Sequence, residues 1–277
     1  MTKANISSAK CILVIGATSG IGKSLAIALH DLPSKPKVIV AGRRQERLDE
    51  ISAAHAGIDS IKFDTTAGRE VLQKFVADIT AKYPDLDGVV FSAGVQHVFD
   101  FLKPESFDLD LFETELTTNY TSIVTLIVSL LPHFLKLSAE GRPSFIIPIT
   151  SGLGIVPIPR VVNYAATKSA LHNFTLSLNS QLSETNVHVM EIFPPLVESE
   201  LHDHQGLTPI LSKVWMPLTE FTDKAIAGLL RGDVQIGIGN SGKDWERYEK
   251  GKVEQIAEQE VRFKAFKQQF DAQESKI

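Results

Sequence analysis

The sequence predicts an α/β fold, a doubly wound parallel sheet of about seven strands flanked by helices, on three observations. Short apolar runs near 11–16, 37–41, 58–63, 87–91, 143–149, 187–193 and 234–238 alternate with helical patterns, the order in which strands and crossover helices build a parallel sheet. The first run, Cys11-Ile12-Leu13-Val14-Ile15, is apolar throughout rather than alternating, as a strand covered on both faces must be. Gly16, Arg43, Asp64, Gly94, Ser151 and Pro194 each stand at or just after the end of a run, where open α/β sheets bind their ligands.

Taken in order, the first strand leads into Gly16-Ala17-Thr18-Ser19-Gly20-Ile21-Gly22 and then Lys23-Ser24-Leu25-Ala26, a strand, a glycine turn and a helix. Glycine lets backbone approach a ligand without a Cβ clash, and a helix amino terminus offers open N–H groups and a positive dipole end to phosphates. Such a unit holds a pyrophosphate, although the GxxxGxG spacing alone serves a structural βα turn equally well. The second strand, Val38-Ile39-Val40-Ala41, ends in Gly42-Arg43-Arg44-Gln45-Glu46-Arg47. An NAD site carries an acid here for the ribose 2′-hydroxyl, whereas a 2′-phosphate needs a cation. The acid is missing, and Arg43 and Arg44 offer guanidinium forks that match phosphate geometry. That favours NADP(H). The competing reading is that they begin a solvated helix, the expected fate of Arg47.

Long helices are expected near 106–136 and 159–185, and the second carries Tyr164 and Lys168 four residues apart, hence on one face. A free phenol titrates near a pKa of about 10, and bringing it to neutrality takes roughly 4 kcal/mol of differential stabilisation. A neighbouring ammonium supplies part of that. By itself a YxxxK spacing also fits a solvated face with one half-buried tyrosine.

With glycine turn, arginines and YxxxK in this order, the chain resembles the short-chain dehydrogenase/reductase family from about Lys10 to Gly239. The resemblance implies one Rossmann-type NADP-binding domain, 1–277, with a family-like core over 10–239, a substrate lid over 196–217 and a helical extension over 240–277. Within the turn, Gly16, Thr18, Ser19, Gly20, Ile21 and Gly22 are then cofactor contacts. Asp64 falls where the family's acid meets the adenine, and Phe91-Ser92-Ala93-Gly94 takes the place of its Asn-Asn-Ala-Gly motif. Asn119, Ser151, Tyr164 and Lys168 match the catalytic tetrad, with Ser151 thirteen residues before Tyr164. Phe193-Pro194-Pro195-Leu196-Val197 stands where relatives have Pro-Gly and a backbone contact to the carboxamide. Two residues depart from the pattern: Ser92 replaces an asparagine and Pro195 a glycine, the latter removing an N–H donor.

The resemblance implies hydride transfer between nicotinamide and a carbonyl or secondary alcohol. Tyr164 is the general acid and Ser151 the hydrogen-bond donor to the carbonyl oxygen. Lys168, together with the nicotinamide charge, tunes the phenol and also holds the ribose, and Asn119 holds a water that joins the lysine to solvent. Two other activities fit the same scaffold: a dinucleotide-binding regulator without turnover, disfavoured because Tyr164, Lys168 and Ser151 are all present, and an epimerase or dehydratase, for which no second acid or base is evident.

The chain has 277 residues, 43% hydrophobic and 22% charged, ordinary for a globular α/β protein. No linker or repeat divides it. Its single cysteine, Cys11, excludes an internal disulfide and suits core packing in a reducing compartment. Met1 to Lys10 lacks an apolar signal core, and the segment Ile123 to Leu135, interrupted by Pro132, is short for a bilayer span. The expectation is a cytoplasmic protein with no membrane partner. Net charge is −5 with dispersed basic residues, which argues against nucleic acid.

The pocket walls expected from the resemblance, Val95 to Phe101, Gly152 to Arg160 and Leu196 to Pro217, are mostly apolar and favour a largely apolar ketone, aldehyde or alcohol. His97 and Arg160 leave room for a carboxylate handle. His202, Asp203 and His204 lie close together, but no zinc-type spacing accompanies them, and no metal is expected. The two long apolar helices resemble those that relatives pack into homodimers or homotetramers. Lys243 to Gln273 reads as a charged helix with a broken apolar stripe, packing on the domain, a neighbouring subunit or a partner.

Overall fold

A computed structural model describes residues 4–274. The strand β1 (Cys11–Ile15) leads into α1 (Gly20–His30), β2 (Lys37–Gly42) into α2 (Gln45–Ala54), and β3 (Ile58–Lys62) into α3 (Arg69–Lys82). After β4 (Leu86–Phe91), α4 (Leu109–Leu116) and α5 (Ser122–Ala139) are joined by a π-helical turn over Thr117–Thr121. β5 (Ser144–Pro148) precedes α6 (Val162–Gln181), β6 (Val187–Val189) and β7 (Glu191–Phe193). The chain continues through α7 (Thr208–Leu211), α8 (Leu218–Arg231), β8 (Gln235–Gly237), α9 (Asn240–Tyr248) and α10 (Lys252–Glu274).

Six parallel strands form one sheet in the order β3-β2-β1-β4-β5-β6. The order reverses between β1 and β4, whose last residues, Ile15 and Phe91, are register partners. The loops leaving these two strands therefore start side by side at the carboxyl edge, the switch point of such sheets. Alternate residues explain the continuous apolar runs: Ile12 and Val14 pack with Leu25, Leu29 and Phe221 on one face, and Leu13 and Ile15 with Ile123, Leu126 and Phe134 on the other. Asp87, buried in β4, accepts from the backbone N–H of Lys10 (2.9 Å) and Cys11 (3.0 Å) and anchors the start of β1. Burial, with the Asp87 charge nearby, pushes the Cys11 thiol up to about 12, so this cysteine is an inert core group.

The single strand expected over 187–193 is divided. Ser144 N–H donates to Asn186 and Met190 N–H to Ile146, but at Pro148, which falls on the same side of β5 as Ser144 and Ile146, there is no N–H to continue the ladder. Beyond Met190 the chain changes partner: Glu191 N–H donates to Val234 at 2.8 Å, and β7 pairs with β8 in a separate two-stranded parallel sheet. The run at 234–238 thus joins β7 and not the main sheet, with an Ile149–Ile192 bridge linking the two.

The apolar segment is longer than Ile123 to Leu135 suggests. Leu109–Ala139 is helical throughout, its most apolar 18-residue stretch has a mean hydropathy of 1.6, and by length and composition alone it is long enough to cross a membrane; here Ile123, Leu126, Ile127, Leu130 and Phe134 are sealed against the sheet. The helix expected over 243–273 is two helices, parted at Gly251, whose φ of +89° belongs to the left-handed region.

Candidate active site

The glycine turn closes against the loop after β4. Gly16 has φ +86°, and a Cβ there would stand 2.3 Å from the Ala93 nitrogen; a Cβ on Gly22 would stand 2.2 Å from the Gly16 oxygen. Only glycine lets these segments meet. Ser19 precedes α1 without making a side-chain cap, which leaves first-turn N–H groups and the positive helix end open. Those are the properties a pyrophosphate cradle requires.

The two arginines after β2 part company. Arg43 is exposed and lies near enough to Asp64 to help lower its pKa, together with hydrogen bonds from the Thr66 N–H and hydroxyl that outweigh burial. Arg44 turns the other way, donating to Thr18 Oγ1 (2.8 and 3.1 Å), to Ser19 Oγ (2.6 Å) and to the Glu200 carboxylate (2.6 Å). Arg47, expected to be a solvated helix residue, reaches Glu200 as well, at 3.3 Å.

Asn119, Ser151, Tyr164 and Lys168 converge although they come from three segments. The π turn holds Asn119, fully buried, with Oδ1 accepting from Val95 N–H (2.9 Å) and Nδ2 donating to the Val95 carbonyl (2.9 Å) and Thr167 Oγ1 (3.1 Å). Such turns place one residue off the helical register, and they recur at functional sites. Ser151 leaves β5 in extended geometry and hydrogen-bonds the Tyr164 hydroxyl. Lys168 Nζ donates to the Ile149 carbonyl at 2.8 Å and lies 5.6 Å from the centre of the Tyr164 ring. Gly94 faces this group: a Cβ there would stand 3.3 Å from Asn119 Oδ1 and 3.7 Å from Lys168 Nζ.

The protein groups alone set the electrostatics here. Burial pushes the Tyr164 phenol up to about 12, with the Glu115 charge adding to it and the Ser151 hydrogen bond opposing it. Burial also brings Lys168 down to about 8, against the pull of Glu115 and Glu191. Burial outweighs any help from the lysine, whose head is turned to the Ile149 carbonyl. At pH 7 the protein groups alone keep the phenol protonated and the ammonium charged.

Three acids in this neighbourhood were missed in the sequence. Glu115, fully buried and one turn before Asn119, accepts from His97 N–H (3.0 Å) and pairs with His97 Nδ1 (2.9 Å); the i, i+4 spacing to Asn119 is the signal that would have found it. Glu191 and Glu249 flank His172, one turn beyond Lys168: Nδ1 lies 3.0 Å from Glu191 and Nε2 2.9 Å from Glu249, with all three side chains buried. Lys252 completes the cluster at 2.6 Å from Glu249. No local pattern connects these residues; His172 and Glu249 alone are 77 positions apart.

Beside the tetrad lies a cavity of about 390 Å³ with apolar walls at Val98, Phe99, Leu111 and Leu207 and polar groups at His97, Ser106, Asp108, Arg160, His204 and Gln205. None of the tetrad lines it. It adjoins them through Arg160, four residues before Tyr164, and through the His97–Glu115 pair. His204 rests 5.3 Å from His97, ring to ring, while Asp203 is held by the Thr208 hydroxyl. Among the described residues no three His, Cys, Asp or Glu side chains gather as a metal site. After β7, the Pro194 carbonyl accepts from Gly152 N–H (3.1 Å) and Ser241 Oγ (2.8 Å). Val197 bridges to Met216 through its neighbours' backbone groups, so its own N–H and C=O point away from that contact.

A family profile described as short chain dehydrogenase matches residues 10–208. The chain is 36% identical over 204 residues to the uncharacterized oxidoreductase DltE of Bacillus subtilis, covering 71% of this chain and 77% of that one. It is 29% identical over 205 residues to an NADP-dependent 3-hydroxy acid dehydrogenase of Schizosaccharomyces pombe, covering 69% and 73%. Among solved structures, the closed form of serine dehydrogenase complexed with NADP+ is similar with a TM-score of 0.68 and 25% identity, over 77% of this chain and 86% of that one.

Proposed function

The chain belongs to the short-chain dehydrogenase/reductase family of oxidoreductases, and from that premise we propose that it is an NADP(H)-dependent carbonyl reductase or alcohol dehydrogenase, built as one cytoplasmic domain and assembled as a homodimer or homotetramer. The observation that carries the reading is the Tyr164 hydroxyl bonded to Ser151, with the Lys168 ammonium beside its ring. The glycine cradle and the open end of α1 fit a dinucleotide. Gly16, Thr18, Ser19, Gly20, Ile21 and Gly22 would hold its pyrophosphate, Arg43 and Arg44 its 2′-phosphate and Asp64 its adenine. Ser92, Ala93, Gly94, Pro194 and the free backbone of Val197 would meet the nicotinamide half. Lys168 would bind the ribose.

Bound NADPH would supply a hydride to the carbonyl carbon. Tyr164 then gives its proton to the carbonyl oxygen as negative charge develops there, and Ser151 donates a hydrogen bond to the same oxygen. Burial favours the donor role, since a phenol raised to about 12 is fully protonated at working pH. Lys168 stabilises the phenolate left behind, and Asn119 holds the Val95 loop and Thr167 in place around it. The cavity supports a carbonyl compound with an apolar body and a polar end toward Arg160 and His97, and the relative named for 3-hydroxy acids supports an oxo acid among the candidates.

Two results are expected. With Lys168 at about 8 in the free protein, kcat/KM for reduction is level below that pH and falls as the ammonium loses its proton above it; a level kcat/KM profile to pH 10 in initial-rate assays removes the lysine from the mechanism. Arg43→Ala weakens NADPH by about tenfold or more while leaving NADH nearly unchanged, because only the former carries the phosphate that the guanidinium meets. Consumption of each cofactor against ketones, aldehydes and oxo acids tests both; equal loss for the two cofactors sinks the phosphate assignment, and no turnover of any carbonyl with either cofactor sinks the reductase.

A further inference from the structure

The Arg44 guanidinium and the Arg47 guanidinium clasp one carboxylate between them, and it comes from the chain's own lid. Glu200 accepts from Arg44 Nη1 at 2.6 Å and pairs with Arg47 Nη2 at 3.3 Å, one oxygen to each. The Ser19 hydroxyl also hydrogen-bonds Glu200, and these contacts, the Arg44 bond foremost, hold its carboxyl below the usual carboxylate range. Two guanidiniums and a hydroxyl at a helix amino terminus form an anion site of the type that binds phosphate monoesters.

The clasp ties together parts of the fold that lie far apart in sequence. Arg44 follows β2, Ser19 ends the glycine turn, and Glu200 is 156 residues beyond Arg44. Ser199 also rests on the turn: a Cβ on Gly20 would stand 3.2 Å from the Ser199 Cβ. The start of the lid is therefore strapped across the cradle by an ion pair. Arg43, exposed beside it, has no carboxylate within salt-bridge distance among the described residues.

We propose that Glu200 is an internal stand-in for the cofactor's 2′-phosphate. It fills the anion site in the free protein, and a phosphate entering that site displaces it and releases the first turn of the lid. The inference rests on the NADP(H) reading and adds to it a residue that sets cofactor discrimination and couples it to lid movement. A dinucleotide without the 2′-phosphate brings no anion to this site, so it leaves the strap in place. Charge decides the sign: the carboxylate competes with the phosphate for the same guanidiniums, and neutralising it must help the phosphate.

The test uses the full chain, wild type and Glu200→Gln, with Arg44→Ala as control and Glu200→Ala as a second lid variant. Calorimetry measures binding of NADPH, NADH and the fragment 2′,5′-ADP, and limited trypsin cleavage at Lys213 reports the lid. Expected are about tenfold tighter binding of NADPH and 2′,5′-ADP by Glu200→Gln, unchanged NADH binding, and loss of both phosphate ligands in Arg44→Ala. Saturating 2′,5′-ADP speeds cleavage of the wild type, and both Glu200 variants cleave fast without it. If the wild type prefers NADPH but the Glu200 variants bind it no better, or if 2′,5′-ADP leaves cleavage unchanged, the stand-in role is wrong and the cofactor reading stands. If neither NADPH preference nor 2′,5′-ADP binding is found in any variant, both are overturned.

Discussion

Replacing Tyr164 with phenylalanine is expected to lower kcat for carbonyl reduction by about 10²–10⁴-fold while leaving cofactor affinity and the melting temperature nearly unchanged. The substitution removes one hydroxyl from a side chain only 7% exposed, keeps the ring packed, and frees the Ser151 hydroxyl without burying a new charge. The kinetic loss is the contribution of a positioned proton donor. Among the described residues nearby, the Lys168 ammonium is turned toward the Ile149 carbonyl and the Asn119 amide is spent on Val95 and Thr167, which leaves Tyr164 as the hydroxyl donor beside Ser151. Initial rates with saturating substrate and a direct cofactor titration separate the two effects. Turnover within tenfold of wild type would remove Tyr164 as the acid, and a matching loss of cofactor affinity would recast it as a binding residue.

His172→Leu is expected to cost about 3–5 kcal/mol of stability, the range for removing one partner from a buried ionic cluster. The imidazole alone separates Glu191 and Glu249, which are 1% and 4% exposed. Leucine fills the volume but leaves Glu191 unpaired opposite a second carboxylate that keeps only Lys252. Glu249→Gln is the milder comparison, since an amide still bonds Nε2. The same cluster has a pH signature. Burial opposes the charge on His172, but hydrogen bonds to Glu191 and Glu249 raise its pKa overall, and burial raises that of Glu191. Both groups therefore bind protons more tightly folded than unfolded, so their stabilisation is full below the unfolded pKa values and fades as pH rises through the folded ones. Denaturant midpoints measured against pH should show that slope in the wild type; His172→Leu should lose the histidine part and keep the Glu191 part, since leucine removes the hydrogen bond that opposes burial there, and equal midpoints for the two proteins at pH 6 would dismiss the cluster as a stabilising element.

The degree to which the sequence is legible varies by element. The glycine turn, the β2 arginines and the Tyr164–Lys168 pair are local patterns, set by steric limits on backbone and by the 3.6-residue repeat, and they sit where expected at the carboxyl edge of the sheet. The apolar strands were readable because both faces are covered. The divided strand at 187–193 was not, since its apolar run is continuous and the break comes from a proline in a neighbouring strand. The two-part carboxyl-terminal helix was obscured likewise, because α9 ends where Glu249 reaches a histidine on α6.

What the sequence determined by itself was the fold class and the order of its elements, which follow from residue types at short spacing; Asn119 and Ser151 were matched to Tyr164 and Lys168 only through the family resemblance. Only the tertiary structure decided how those groups behave. Burial, a property of the whole packed molecule, raises the Tyr164 phenol and lowers Lys168, opposite to what the pair's proximity alone suggests for the phenol. Long-range charge does the rest: Glu115 beside His97, Glu191 and Glu249 around His172, and Glu200 across Arg44 and Arg47 each join residues far apart in the chain. Coulomb attraction depends on distance in space and on the water removed by folding, and neither is written in the spacing of residues along a sequence.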